Sequence, residues 1–383
     1  MQRHIFSTVL IALLSVFSFT VSAQEHGHEA HGEHASQNHA EAVSHDVDAE
    51  EATHHEAGEN NPEANKEFIA HHLLDAHDFH ITEGVSFPLP IILIDDGVKF
   101  FMSSAFHHDD NATVVVENGG ERYTKFHGKI YNASETANAH GQYVEMDEHH
   151  HAVNAKPLDL SITKNVFVII LMSGFLIFIF GRVAKSYKTS AVPSGAGKFL
   201  EPLVIFVRDE IAIPNIGEKH YKKYMSYLLT VFFFIWFINL IGMVPLGINV
   251  TGNIAVTFAL AMITFFITQF TGKKDYWGHI FWMPGVPTPM KIVLAPIELL
   301  GVFIKPFALM IRLYANMKAG HVVLMSLIAV MYAFENWGAK GAFLGLTLAL
   351  NLLELLVAAL QAYIFTMLTA LYFGSASEEH GEH

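Results

Sequence analysis

Two apolar stretches near the end of the chain, Ile292 to Phe334 and Ala342 to Phe373, are each too long to cross a bilayer upright. A hydrocarbon core of about 30 Å takes roughly 20 helical residues. At ~1.5 Å per residue the first stretch, read as one helix, runs to roughly 60 Å. It is interrupted by Glu298, Lys305, Arg312, Lys318 and His321. Splitting it around residues 312–320 leaves His321 to Phe334 as a second piece too short to cross. One long element, kinked at Pro296 or Pro306, is the better reading, and it must tilt or bend. The second stretch poses the same problem. A curved partner surface would give two steeply tilted membrane helices a reason.

Three more stretches are long and apolar enough to span: about 165–181, bracketed by Lys164 and Arg182, then 224–246 and 254–271. Between the first two, residues 199–213 mix Glu201, Arg208, Asp209 and Glu210 with Leu200, Leu203, Val204, Phe206, Val207 and Ile211. That pattern is too polar to span and suits an amphipathic helix on the membrane surface. Lys198, Lys219, Lys222, Lys223, Lys273, Lys274 and Lys291 all fall in loops on one side, whereas the turn from Gly242 to Asn253 has no Lys or Arg. The basic side is expected to be cytoplasmic. The N-terminal region then lies outside, and the C-terminus lies inside.

Ahead of the spans the chain is polar. Residues 1–23 read as a signal peptide, with Arg3 and His4 before an apolar run and Val21-Ser22-Ala23 as a cleavage site. A retained first membrane helix is the alternative, and either would export the segment after it. Residues 24–65, rich in His, Glu and Ala, cannot bury enough apolar surface to fold and read as a disordered tail. Residues 66–160 form a small exported domain and linker. Ile91 to Ile94, Asp95-Asp96-Gly97 and Val98 to Met102 predict a β-hairpin, and Thr113 to Val116 with Arg122 to Phe126 a second. A polar stretch including His149, His150 and His151 leads on to the membrane. The fold class expected is therefore an all-α polytopic membrane protein with about five embedded helices, the last two long and tilted. One surface helix and a small exported domain that can contain β-structure complete it, with the membrane domain at 161–379.

The net charge of −14 and the scattered basic residues offer no nucleic-acid surface, and the absence of cysteine excludes disulfides and thiolate metal sites. The chain has no Gly-x-x-x-x-Gly-Lys-Ser/Thr phosphate loop. No catalytic, cofactor-binding or metal-ligating residues are expected.

The chemistry lies in the last two apolar stretches. Glu298, Lys305 and Arg312 recur every seven residues, and Asn316 follows one turn later on the same side. Asn351, Glu354, Ala358 and Gln361 make a similar stripe on the last helix. A guanidinium at the bilayer centre costs at least ~2.5–3.5 kcal/mol. It cannot escape by losing its proton, so it needs a carboxylate, water or an ion path. His321 titrates near neutral pH. These groups can also simply satisfy one another between packed helices. Lys305 and Lys318 can snorkel to an interface.

The run Ile311-Arg312-Leu313-Tyr314-Ala315-Asn316-Met317-Lys318-Ala319-Gly320-His321 resembles the signature of subunit a of the F-type ATP synthase membrane sector. Leu360-Gln361-Ala362-Tyr363-Ile364-Phe365 resembles that family's last-helix motif, and Glu201 to Glu210 fits its surface helix. The resemblance covers roughly residues 160–379. In the exported part only Ile69-Ala70-His71-His72-Leu73 is similar to family members. Ala315 replaces a common glycine, and Lys318 is unusual at its position.

The resemblance implies a stator subunit that forms two aqueous half-channels against a rotor ring of c subunits. Its partners would be that ring, a b-subunit stalk, the rest of the synthase and the lipid bilayer. Its location would be the bacterial inner membrane. Arg312 would correspond to the essential arginine facing the ring, with Asn316 and Gln361 as its polar neighbours. His321 and Glu354 would be the titratable pair of the exported-side half-channel, and Glu298 a carboxylate near the cytoplasmic one. The chain would not itself be an enzyme, since nucleotide chemistry would belong to other subunits. Protons are the expected coupling ion, because an imidazole suits proton relay and is a poor hard-cation ligand. The alternative is a metal-ion transporter with a His-rich tail.

Overall fold

The structure is a computed structural model and describes residues 75–82, 85–147, 151–188, 195–244, 248–283, 286–334 and 336–377. The expected signal peptide, the His-rich tail, the Ile69 to Leu73 motif and the residues after Ser377 lie outside the described residues.

The N-terminal region is a small β-domain. Strands β1 (Asp78–Thr82) and β2 (Val85–Pro88) form a two-stranded antiparallel ribbon. A three-stranded sheet comes next, in which β3 (Pro90–Ile94) lies between β4 (Val98–Met102) and the short β8 (Leu158–Asp159). A second sheet carries β5 (Asn111–Asn118), β6 (Glu121–Phe126) and β7 (Lys129–Asn132) in sequence order. Both expected hairpins are present. Asp96 and Gly97 turn the first with positive φ, and Gly119 and Gly120, at φ +63° and +90°, turn the second. That pair of angles fits the twist of a two-residue hairpin loop. Alternation along β3 buries Ile91 and Leu93, which pack with Phe106, Tyr123 and Ile130.

On either side of residues 148–150 the chain belongs to the domain: Met146 bridges to Ala152, and β8 pairs with β3. Inside the domain, Lys125 donates to Asp78 Oδ2 at 2.8 Å, with both side chains almost fully buried, and Asp110 stands 3.8 Å away. Burial pushes the Asp78 carboxyl up, but the Lys125 ammonium outweighs that and holds it below its ordinary value. Replacing Lys125 by methionine strands the carboxylate and should cost about 3–5 kcal/mol. The purified chain would then lose protease resistance in this domain at a lower temperature, and adding Asp78→Leu should restore much of the loss. An unchanged onset of cleavage would show that the pair contributes nothing.

Among the described residues five helices are long and apolar enough to cross a membrane: α1 (Lys164–Ser186), α4 (Tyr221–Gly242), α5 (Ile254–Thr271), α7 (Thr288–Ala333) and α8 (Trp337–Ser377). Asn253 caps α5 by accepting from the Ala255 amide at 3.0 Å. α7 and α8 have 46 and 41 residues. α7 is one unbroken helix that keeps both Pro296 and Pro306 in its interior.

The surface segment runs longer than expected and is not uniform. It comprises α2 (Gly197–Phe206), a wider π-turn at Val207–Ala212 and the short α3 (Ile213–Ile216). Leu200, Val207, Ile211 and Ile216 point inward, while Arg208 and Asp209 form an exposed ion pair. The glycine at 374 on α8 lies so close to the Asn215 carbonyl that no side chain would fit between them. A further short helix, α6 (Lys274–Phe281), was not expected from its mixed composition.

The core of the bundle is α4. Its Tyr224 stacks on Phe373 with ring centroids 4.5 Å apart, its Phe233 packs on Phe180 at 4.9 Å, and its Tyr227 hydroxyl bonds Thr264 at 2.8 Å. The α7/α8 hairpin is different: it leaves Ile292 69%, Leu300 60%, Leu352 68% and Leu356 66% exposed. An apolar surface of that size needs lipid or another apolar partner.

Candidate functional site

The hairpin of α7 and α8 sets two polar stripes in antiparallel register. From one end to the other, the Lys305 ammonium lies 5.4 Å from the Tyr372 ring and Asn316 Nδ2 donates to Gln361 Oε1 at 2.8 Å. His321 Nδ1 then stands 3.2 Å from Glu354 Oε1, and Phe334 stacks on Phe343. Asn316 with Gln361 and His321 with Glu354 are thus brought together; the second pair is the one the resemblance implies. For these four the packed-helix reading and the functional reading describe the same contacts.

His321 and Glu354 are both buried at the β-domain end of the bundle. His321 Nε2 lies 2.9 Å from the Gly242 carbonyl oxygen, where α4 ends, and Nδ1 lies 3.2 Å from the Met317 carbonyl. Each ring nitrogen therefore faces an oxygen, and a ring bearing both protons would donate on both sides. Glu354 Oε1 stands 3.2 Å from Nδ1 yet accepts no hydrogen bond among the described residues. Gln361 Nε2 is likewise buried without a partner.

Two glycines make the close approach possible. A Cβ at Gly320 would stand 2.8 Å from Glu354 Oε1, and one at Gly242 would strike the Met317 methyl at 2.6 Å. Next to Gly242, Thr251 donates to Asn239 Oδ1 at 2.8 Å, with both residues fully buried. Sequence reasoning missed this pair and the Gly242 carbonyl. An Asn inside an apolar run was the available signal for the first; a backbone acceptor leaves none.

Arg312 and Asn316 are both exposed on α7, one turn apart. Asn316 reaches Gln361, whereas Arg312 stands among exposed Phe307 and Ile311, with Tyr372 of α8 nearby. Among the described residues no hydrogen bond or ion pair engages its guanidinium. Packing between these helices therefore does not satisfy it. Glu298 sits toward the opposite end of α7 from His321 and is half-buried. It lies near Tyr276 of α6, whose hydroxyl is pushed up by burial and further by that carboxylate, while the Gln269 hydrogen bond opposes. Lys318 lies over its own neighbour Tyr314 at 5.7 Å.

Comparison with known proteins bears on two segments. Residues 68–160 match a domain of unknown function (DUF8433). Among curated relatives, the ATP synthase subunit a of Anaeromyxobacter sp. (strain Fw109-5) is 42% identical over 253 residues, covering 62% of this chain and 61% of that protein. The ATP synthase subunit a of Pelodictyon phaeoclathratiforme is 44% identical over 237 residues, covering 59% of this chain and 69% of that protein. That of Myxococcus xanthus is 44% identical over 236 residues, covering 59% of this chain and 77% of that protein. The chain spans about three fifths of the length of the Anaeromyxobacter relatives. The family described as ATP synthase A chain matches residues 166–374, more than half of the sequence, and the chain belongs to that family.

Proposed function

We propose that this chain is the proton-conducting stator subunit of a rotary ATP synthase. The observation that carries the reading is the buried His321–Glu354 contact on the same helical hairpin that exposes an unpaired arginine on an apolar face. Ionisable groups at membrane depth mark ion paths. Here they divide into a titratable pair inside the hairpin and a fixed cation outside it. The partners that fit are a ring of c subunits against the exposed α7/α8 face, a b-subunit stalk and the remaining subunits, which would carry the nucleotide chemistry.

In this reading protons enter from the β-domain side, past Asn239 and Thr251, to His321 and Glu354. From there they neutralise a rotor carboxylate, which can then turn into lipid at small cost. On completing its circuit the carboxylate meets the second path, marked by Glu298. The field of Arg312 favours its ionised form there, and the proton leaves. Arg312 also repels a proton moving directly from one path to the other. Asn316 and Gln361 hold the two helices in register beside it. The lysines at 198, 219, 222, 223, 273, 274 and 291 favour a cytoplasmic side opposite the β-domain, in a bacterial inner membrane.

The test is passive proton conduction by the membrane sector in vesicles, with the catalytic head removed and a potassium diffusion potential applied. His321→Ala and Glu354→Gln should each lower the rate by roughly a hundredfold, the low end of what a positioned proton-transfer group contributes. Undiminished conduction by either variant in fully assembled complexes would overturn the reading.

A further inference from the structure

The outer face of the first three-stranded sheet of the β-domain is apolar and uncovered. Strand alternation turns Ile91, Leu93 and Phe101 inward, onto Phe106 and Tyr123, and sends Ile92, Ile94, Val98, Phe100 and Met102 outward. Register joins these into one patch: Phe100 lies opposite Ile92, and Ile94 lies between Val98 and Leu158 of β8. Val98 is 72% exposed and Phe100 62%. A contiguous exposed apolar patch of this kind marks an interaction site. The domain lies outside residues 166–374, so membership of the family gives this face no role.

The face stands upright on the membrane. At its base the Ile162 amide, two residues ahead of α1, donates to the Pro90 carbonyl, and Pro90 lies opposite Met102. The β6–β7 turn, at Gly128 and Lys129, likewise comes down beside Asn253, where α5 begins. At the top the two hairpin tips are held together by Lys99 Nζ, which donates to the Gly119 carbonyl at 2.9 Å. β3 thus climbs away from the membrane, and from Pro90 to Ile94 it rises about 13 Å at ~3.3 Å per residue. Three strands at ~4.8 Å spacing make the face about 14 Å wide.

These dimensions decide what can cover it. The headgroup layer of one leaflet is only about 5–7 Å deep. Lipid therefore reaches Met102 at the base but not Val98, the most exposed residue of the patch, at the top. A second copy of the chain would set two such faces together, but each offers roughly 200 Å² of flat area. Side-chain relief would have to multiply that about fourfold to reach the ~800 Å² that each partner gives to a stable interface. A single helix fits. Its diameter of about 10–12 Å matches the width, and about nine of its residues, at ~1.5 Å each, match the height.

Such a helix would arrive from the membrane. Ile170, Leu171 and Phe178 are exposed on α1 and share a side of it with Phe167. Phe87, itself 52% exposed, stacks on Phe167 with ring centroids 5.8 Å apart. Exposed apolar surface therefore continues from α1, through Phe87, to the foot of the sheet at Pro90. A neighbour that already spans the bilayer beside α1 is held there at high effective concentration, so a small face is enough to retain its exported end.

We propose that the β-domain clamps the exported end of a membrane-spanning helix from a neighbouring subunit of the synthase. The face of Val98, Phe100 and Met102 takes about nine residues of that helix, which continue past the hydrocarbon core with an uncharged apolar stripe at helical spacing. The clamp needs membership of the synthase and does not rest on the proton path.

The test is photo-cross-linking in the assembled complex. Phe100→p-benzoylphenylalanine, or the same change at Met102, followed by irradiation of the membranes, should join this chain to one other subunit of the purified synthase. The cross-linked residues of that subunit should lie three or four apart, within about nine residues of the exported end of its apolar span. The same photoprobe at Glu117, on the second sheet and with its side chain 76% exposed, should give no such product. Phe100→Glu should lower the yield from the Met102 probe by at least about tenfold, because docking would then bury an unpaired carboxylate. Phe100 is exposed, so that variant should fold. Cross-links to a second copy of this chain, to its own residues 24–74, to lipid alone or to a soluble protein overturn the clamp. So does the absence of any product, or a Met102 yield unmoved by Phe100→Glu. If His321→Ala conducts normally while the expected cross-link forms, the proton-conducting reading fails and the clamp stands.

Discussion

Arg312→Ala is expected to abolish ATP-driven proton pumping in inverted membrane vesicles while the complex still assembles. The guanidinium lies on an apolar face that leaves it without a partner among the described residues. Holding it at membrane depth costs at least ~2.5–3.5 kcal/mol even on the lenient insertion scale, so its retention needs a function that offsets the cost. A carboxylate brought within ~4 Å of it at an effective dielectric of about 20 gains about 4 kcal/mol for its ionised form. That is a roughly thousandfold bias on where the rotor carboxylate releases its proton. Alanine removes the bias and the barrier to direct leakage together. Arg312→Lys should fall between wild type and alanine, because an ammonium in an apolar setting can lose its proton and a guanidinium cannot. Normal pumping by the alanine variant with a full complement of rotor subunits would sink the central claim.

The second large effect is expected at Gly320. A Cβ there meets the tip of Glu354, which can swing aside, so Gly320→Val should fold and insert. The carboxylate it displaces is the one in contact with His321. Passive conduction should therefore drop about as far as when the pair itself is removed, roughly a hundredfold. Shortening the carboxylate should compensate: Gly320→Val with Glu354→Asp should conduct better than Gly320→Val alone. Conduction at the wild-type rate in the single variant would show that the close contact is dispensable.

Much of this architecture is legible in the sequence alone, for physical reasons that differ from part to part. The membrane helices announce themselves because lipid tolerates few charges over such lengths, and α5 ends where its apolar run ends. The hairpins of the β-domain come from Asp95-Asp96-Gly97 and Asn118-Gly119-Gly120, where the backbone needs left-handed conformations. The pairing of His321 with Glu354 comes from the resemblance alone. Features made by backbone atoms or by distant segments leave no such trace. The Gly242 carbonyl that holds His321 is invisible in a one-letter code. The ion pair of Lys125 and Asp78 joins positions far apart in the chain. The π-turn at Val207–Ala212 has an ordinary amphipathic pattern, and α6 is too short and mixed to signal itself. Spacing does not say which polar group on α7 finds a partner: among the described residues Asn316 bonds Gln361, whereas Arg312, one turn earlier and equally exposed, has no hydrogen bond or ion pair.

The length of α7 has a geometric consequence for where these groups stand. At ~1.5 Å per residue its 46 residues extend roughly 69 Å, against about 30 Å of hydrocarbon. If all of it lay within that layer, each residue would gain only about 0.65 Å of depth and advance roughly 1.35 Å along the membrane plane. From Arg312 to His321 the axis would then move roughly 12 Å laterally for roughly 6 Å of descent. Groups that look stacked in sequence are therefore spread out like stations along an arc. A voltage pulls charge along the membrane normal, but a carrier visiting these stations in turn must travel mostly sideways.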